Sequence, residues 1–218
     1  MKGLLIKDLM LLTRQRATLV LVVFFAVFMF ENGTFPLSGA IAYFVGFFTI
    51  LAINSTSYDE FDNGYAFLFT LPVTIKTYVL EKYLYALLAA FCSAFVSVGY
   101  VFIRGNMSGG EGFIGFACGF TAMILLVVAV MLPLQFKFGM ERSRMMMILV
   151  GGLVGGLGAF SVLSLGTNGR LQAVKGALRT VGQQLSGITW AILGVCFVIL
   201  VYLASIMLSI RIMKKKDF

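Results

Sequence analysis

The chain contains no histidine. A serine or cysteine nucleophile activated by an imidazole base is therefore excluded, and so is an imidazole-ligated metal. The long apolar runs carry no acid, so the two intramembrane carboxylates of an aspartyl protease are missing. A proton- or sodium-coupled carrier normally places ionisable residues at the bilayer midplane, and that pattern is missing too. Nor is there a G-x-x-x-x-G-K-[ST] loop: the glycine cluster near residue 155 runs into Ala159-Phe160-Ser161 with no lysine. ATP cannot be held in the P-loop manner by this chain alone. The three cysteines, Cys92, Cys118 and Cys196, each sit in an apolar run without metal-ligand spacing, and they are expected to be small buried hydrophobes.

What is present is hydrophobic. Apolar residues make up 60% of the 218, charged ones 12%, and the mean hydropathy is +0.99. That balance does not suit a soluble domain and points to a single membrane domain over residues 1–218. The net charge of +8 forms no contiguous basic face of the kind nucleic acid needs, so its placement matters more than its sum.

Six apolar stretches are long enough, or nearly so, to cross a bilayer: 17–30, 37–56, 84–103, 113–136, 145–165 and 188–210. The first, with fourteen residues at about 1.5 Å each, is short of a core of about 30 Å. Either Arg14 and Arg16 snorkel, or Glu31 and Asn32 dip below the surface. Thr74 is placed to cap the helix that carries the third span. Of the 17 Lys and Arg residues, all but Arg104, Arg170, Lys175 and Arg179 fall on one side if both termini share that side, which makes the termini cytoplasmic.

Three segments outside these spans are amphipathic. Residues 1–16 place Leu5, Leu9 and Leu12 on one helical face with Lys7 and Arg14 opposite, as in a helix lying at the membrane surface. A cleaved leader is not expected, because the only small-residue site, Ser38-Gly39-Ala40, lies beyond Glu31 and Pro36. Residues 166–187 repeat Leu171, Val174, Leu178, Val181 and Leu185, with Arg170, Lys175 and Arg179 on other faces, which predicts a second surface helix on the outer leaflet. Residues 58–72 open with Asp59, Glu60 and Asp62, align Phe61, Tyr65 and Leu68 on one face, and stop at Pro72.

The small residues Gly151, Gly152, Gly155 and Gly156, and Gly115 with Gly119, have the spacing that lets helices approach closely, within the subunit or across a dimer. The polar runs 54–57, Ser93 with Ser97, and Ser161 with Ser164 are expected to hydrogen-bond between helices.

The N-terminal MKGLLIKDLMLL, then Asp59-Glu60-Phe61, Gly64-Tyr65, Thr70-Leu71-Pro72-Val73, Lys76, Tyr78-Val79 and Lys82-Tyr83, resemble the membrane subunits of type-2 ABC exporters. Among these the chain looks closest to permeases of phenol-soluble-modulin and antimicrobial-peptide exporters. The resemblance spans the whole layout, but its specific residues lie mostly in 1–16 and 58–83.

It implies an all-α permease of six spans in the bacterial cell membrane, paired with a second permease copy. It also implies separate ATPase subunits that carry ATP-Mg, with no cofactor on this chain. Residues 1–16 would be an elbow helix and 58–72 a coupling helix seated in an ATPase groove. Phe61, Tyr65 and Leu68 would fill that groove, and Asp59, Glu60 and Asp62 would meet its basic rim. Gly64 and Pro72 would shape the helix and its exit, and Leu71, at the end of the helix, would also contact the ATPase. The aromatic residues of this segment also fit a simple headgroup anchor. The cargo implied is an amphipathic or hydrophobic peptide. A different class of function, a non-transporting immunity or assembly factor that binds peptides through the basic face of Arg170, Lys175 and Arg179, uses the same membrane layout.

Overall fold

A computed structural model describes residues 2–31, 37–60, 65, 68, 70, 73–103, 110–139, 142, 143, 145 and 187–215. Among them the secondary structure is entirely helical: α1 (Lys2–Arg14), α2 (Arg16–Glu31), α3 (Leu37–Glu60), α4 (Ile75–Ile103), α5 (Gly110–Phe138) and α6 (Gly187–Lys214). Helices α3 to α6 are each long and apolar enough to cross a membrane. The α1–α2 pair would make a fifth crossing if its 72° bend at Gln15 is a break within one span. Of the expected span at 145–165, all but residue 145 lies outside the described residues, including Gly151, Gly152, Gly155 and Gly156. Of the segment 166–187, all but residue 187 does, including Arg170, Leu171, Lys175, Leu178 and Arg179.

Helix α4 is the hub. It packs against α3, α5 and α6, and α1 lies across its first turns. Its start follows the capping chemistry expected from sequence: the Thr74 hydroxyl accepts from the Thr77 amide at 3.3 Å, filling one of the orphan donors of a helix start. Twenty-nine residues give α4 a length of about 43 Å, more than a hydrocarbon core of about 30 Å needs. One end of the bundle therefore has room for polar residues.

Small residues set the close approaches. Ala86 and Ala90 of α4 and Ala129 of α5 share one core with Tyr78, Tyr83, Leu132 and Phe136, while Ala117 joins Ile41, Val45 and Val101 in a second. Gly115 and Gly119 do not act this way among the described residues: a Cβ added at either would meet nothing of them within 4 Å. Their face points outward, and Ala117 and Thr121 take the inward positions. The cysteines also depart from expectation. All three lie exposed on outer helix faces, which suits a thiol in contact with lipid as well as one in a protein core. Helix α6 shows the same inversion: Ile192, Leu193, Phe197, Leu200, Met207 and Leu208 all face outward, the arrangement a hydrocarbon solvent favours.

Two polar features fasten the bundle. Pro133 sits inside α5, so the Ala129 carbonyl loses its usual helical donor. The Ser205 hydroxyl of α6 donates to that carbonyl instead. Tyr83 of α4 joins the same hydroxyl at 2.5 Å and Ser209 at 2.8 Å, and Tyr202 donates to the Tyr83 carbonyl at 2.7 Å. Ser93 and Ser97 behave differently from the expected cross-helix bonds: each donates to a carbonyl of its own helix. At its end, α5 is closed by Gly139, whose φ of +79° is left-handed and whose Cα faces the Glu60 carboxyl.

Candidate functional site: an ion network joining three helices

The second feature is a ring of charges at the end of the bundle where α1 docks. α1 turns inward the face bearing Leu4 and Asp8, both buried. Leu9 of the apolar face is 55% exposed, and Ile6 and Met10 beside it are also exposed. Asp8 is drawn in by Lys82 of α4, whose ammonium lies 2.5 Å from Asp8 Oδ2 and 2.8 Å from Asp59 Oδ2 of α3. Lys7 closes the ring, 2.5 Å from Asp59 Oδ1 and 3.5 Å from Asp8 Oδ1.

Hydrogen bonds complete it. Lys82 donates its third proton to Ser55 at 3.1 Å, and Ser55 in turn donates to Asp8 Oδ2 at 3.1 Å. Tyr78 donates to Asp59 at 3.0 Å, and its ring lies 5.5 Å from the Lys82 ammonium. Tyr85 donates to the Asp8 carbonyl at 3.3 Å. All three donors of the ammonium are thus used. At the rim, Gln15 at the α1–α2 break donates to the Tyr58 hydroxyl at 2.8 Å.

The residues expected to contact a partner divide around this ring. Asp59 and Glu60 form the last turn of α3 and do not begin a separate helix. The Asp59 carboxylate is buried and committed to Lys7, Lys82 and Tyr78. Tyr65 and Leu68 are also buried, sharing a core with Leu4, Tyr78, Val79 and Phe136. The Tyr65 ring stands edge-on to Tyr78, with centroids 6.0 Å apart, and burial pushes its phenol well above the ordinary tyrosine range. Phe61, Asp62, Gly64, Leu71 and Pro72 lie outside the described residues.

Sequence reading missed Asp8 and Lys82 as a pair. Their separation of 74 residues hides the contact. One signal was available: Asp8 stands alone as an acid among Lys2, Lys7, Arg14 and Arg16, four residues after Leu4 on the same helical face.

The network has the makings of a joint. Among the described residues no group of three or more His, Cys, Asp or Glu side chains could hold a metal ion. Its members come from α1, α3 and α4, so it ties three helices that the chain supplies far apart.

A bundle of apolar helices whose polar contacts fasten helix to helix is a polytopic membrane protein. Its family is also clear: the model of the ABC-2 family transporter protein matches residues 3–214, nearly the whole chain, and the chain belongs to that family. It is thus of the kind that forms the membrane subunit of an ABC transporter, in which ATP hydrolysis resides on a separate ATPase chain. No curated protein and no solved structure gives a significant match.

Proposed function

We propose that the chain is the permease half of an exporter for amphipathic or hydrophobic peptides, working as a dimer of permeases. ATPase subunits, which carry the ATP-Mg, dock from the cytoplasm on residues 58–72. The observation that carries this reading is the ion ring beside that segment. Tyr65 and Leu68 pack into the core from which Asp59, Lys82 and Asp8 reach across to one another. A push on residues 61–72 is therefore borne by α3, α4 and α1 together, as a transmission joint requires. A buried residue such as Tyr65 then carries force inward, and groove contact falls to other residues of the segment.

An apolar cavity of about 760 Å³ between α4, α5 and α6, lined by Leu87, Phe91, Leu125, Val198 and Tyr202 among others, supports an apolar cargo. Ligand sites commonly fall in that range of size. The cytoplasmic placement of the joint follows from the basic residues of 1–16 and of 211–216.

The test is purification of the intact chain from its native host in mild detergent. A stoichiometric P-loop protein is expected to co-purify and to show peptide-stimulated ATPase activity. Phe61→Asp with Asp62→Lys should release that partner while leaving insertion and thermal stability intact. Retention of the partner by this variant would remove the docking assignment. Absence of any ATPase with the wild-type chain would remove the permease reading and favour the peptide-binding alternative.

A further inference from the structure

Glu81 is the ionisable group that the ring leaves over. It is 1% exposed on α4, and neither of its carboxyl oxygens has a hydrogen-bond donor. Asp8 is 0% exposed, and its Oδ1 likewise has no hydrogen-bond donor, with Lys7 at 3.5 Å as its one ionic neighbour. Lys82, the chain neighbour of Glu81, and Tyr85, one helical turn on from it, both reach Asp8, so α4 sets the Glu81 carboxyl on the side where Asp8 docks. Two ionised carboxylates are both acceptors only, so they cannot bond each other, and like charges at such range repel.

The charge count points the same way. Asp8, Asp59 and Glu81 supply three negative charges against two positive ones from Lys7 and Lys82. A buried carboxylate without a counter-charge is costly, and such a group normally neutralises. The groups facing the pair are Lys7 of α1, Asp59 of α3, and Lys82 and Tyr85 of α4. The charged side chains described on α5 and α6 (Lys137, Arg211, Lys214 and Lys215) form no ion pair with it.

A metal ion is not the missing charge, since the described residues hold no group fit to ligate one. A basic side chain from another protein cannot reach a carboxyl that is fully enclosed. One proton fits both constraints.

We propose that Asp8 and Glu81 form a proton-binding site: one proton is shared by their two carboxyls, and it fastens α1 to α4. With it, the cluster of five ionisable groups is neutral, and the carboxyl oxygens that face each other share a donor. The docked state of α1 binds this proton. Once α1 departs, Glu81 meets water and ionises at neutral pH, as an ordinary glutamate does. The docked state thus carries more protons than the undocked one, and docking weakens as pH rises. This inference goes beyond the transport reading, and its test needs neither ATPase nor cargo.

The test uses the intact chain in lipid nanodiscs, with glutamate labelled at its carboxyl carbon. At neutral pH, infrared spectra are expected to show a protonated-acid carbonyl band that shifts with the glutamate label and disappears in Glu81→Gln. Amide exchange of α1, corrected for its intrinsic rate, should quicken with pH by up to about tenfold per pH unit, the limit set by one proton. In Glu81→Gln, whose amide can donate to Asp8 at any pH, α1 should stay protected and the profile should be flat. A wild-type spectrum with no label-sensitive acid band overturns the proposal, and it does so whether or not the variant folds. An α1 exchange profile that is flat in the wild type, or unchanged in Glu81→Gln, also overturns it.

Discussion

Two polar clusters hold α4 in place, and they are built from different chemistry. The first is the ring of Lys7, Asp8, Asp59 and Lys82, which is ionic. The second lies just beyond it, where Tyr83, Tyr202, Ser205 and Ser209 gather around the carbonyl that Pro133 frees. It is neutral. In the ring, removal of one member strands a buried opposite charge. In the hydroxyl cluster, removal strands only a hydroxyl or a carbonyl. The ring thus commits α1, α3 and α4 to one arrangement, whereas the second cluster can lose a member and keep its shape. That contrast suits the proposed reading, in which the ring would transmit force beside a bundle that need only stay packed.

The largest effect should come from Lys82→Met. The change leaves Asp8 and Asp59 buried without the cation they share, and loss of one partner of a buried ion pair costs about 3–5 kcal/mol. Thermal unfolding in detergent reads this directly. Adding Asp8→Leu removes the stranded carboxylate, and Lys7 still holds Asp59, so the double variant should recover roughly half of the loss. A double variant no more stable than Lys82→Met would show that the ring is not what couples α1 to α4.

Ser205→Ala tests the neutral cluster and should cost less, about 1–3 kcal/mol, the range for a buried acceptor left without its donor. The comparison sharpens when Pro133→Ala is added. Alanine restores the amide that the Ala129 carbonyl lacks, so Ser205→Ala should then cost about 1 kcal/mol less than it does beside proline. Equal costs in the two backgrounds would mean that Ser205 is held by Tyr83 alone.

Lys7→Met should cost least among the charged residues, about 1 kcal/mol or less, although it belongs to the same ring. Its side chain is 34% exposed, so water screens what Lys82 must bear in the interior. A cost equal to that of Lys82→Met would show the ring to be closed to water on the α1 side.

The contrast also explains what the sequence could reveal. The apolar runs of α3 to α6 and the Thr74 cap depend on neighbours close in the chain, and both are legible there. The ring depends on Asp8, Asp59 and Lys82, brought together from three helices, and nothing local sets them apart from surface charges. For α1 the apolar pattern says nothing of the inward face, because Leu9 can face outward at no loss beside lipid while Asp8 has a lysine waiting inside. In a membrane, hydropathy marks which residues tolerate the outside, and buried polar groups mark the inside.

Gly115 and Gly119 carry that argument to the outer face of the bundle. Their spacing matches a close helix contact, yet a Cβ at either meets nothing among the described residues, so the helices described do not use them. Within one subunit, Gly115→Ala with Gly119→Ala should raise stability by about 1–2 kcal/mol, since alanine is the better helix former and neither Cβ meets a described residue. Thermal unfolding of the monomeric form measures that gain, and chemical crosslinking in membranes reports association of the same variant. If the glycine face is where a second copy sits, crosslinking should fall while monomer stability rises. If neither changes in that way and the variant is less stable, the face is covered from within its own chain, and α5 lies closer to its neighbours than these glycines now indicate.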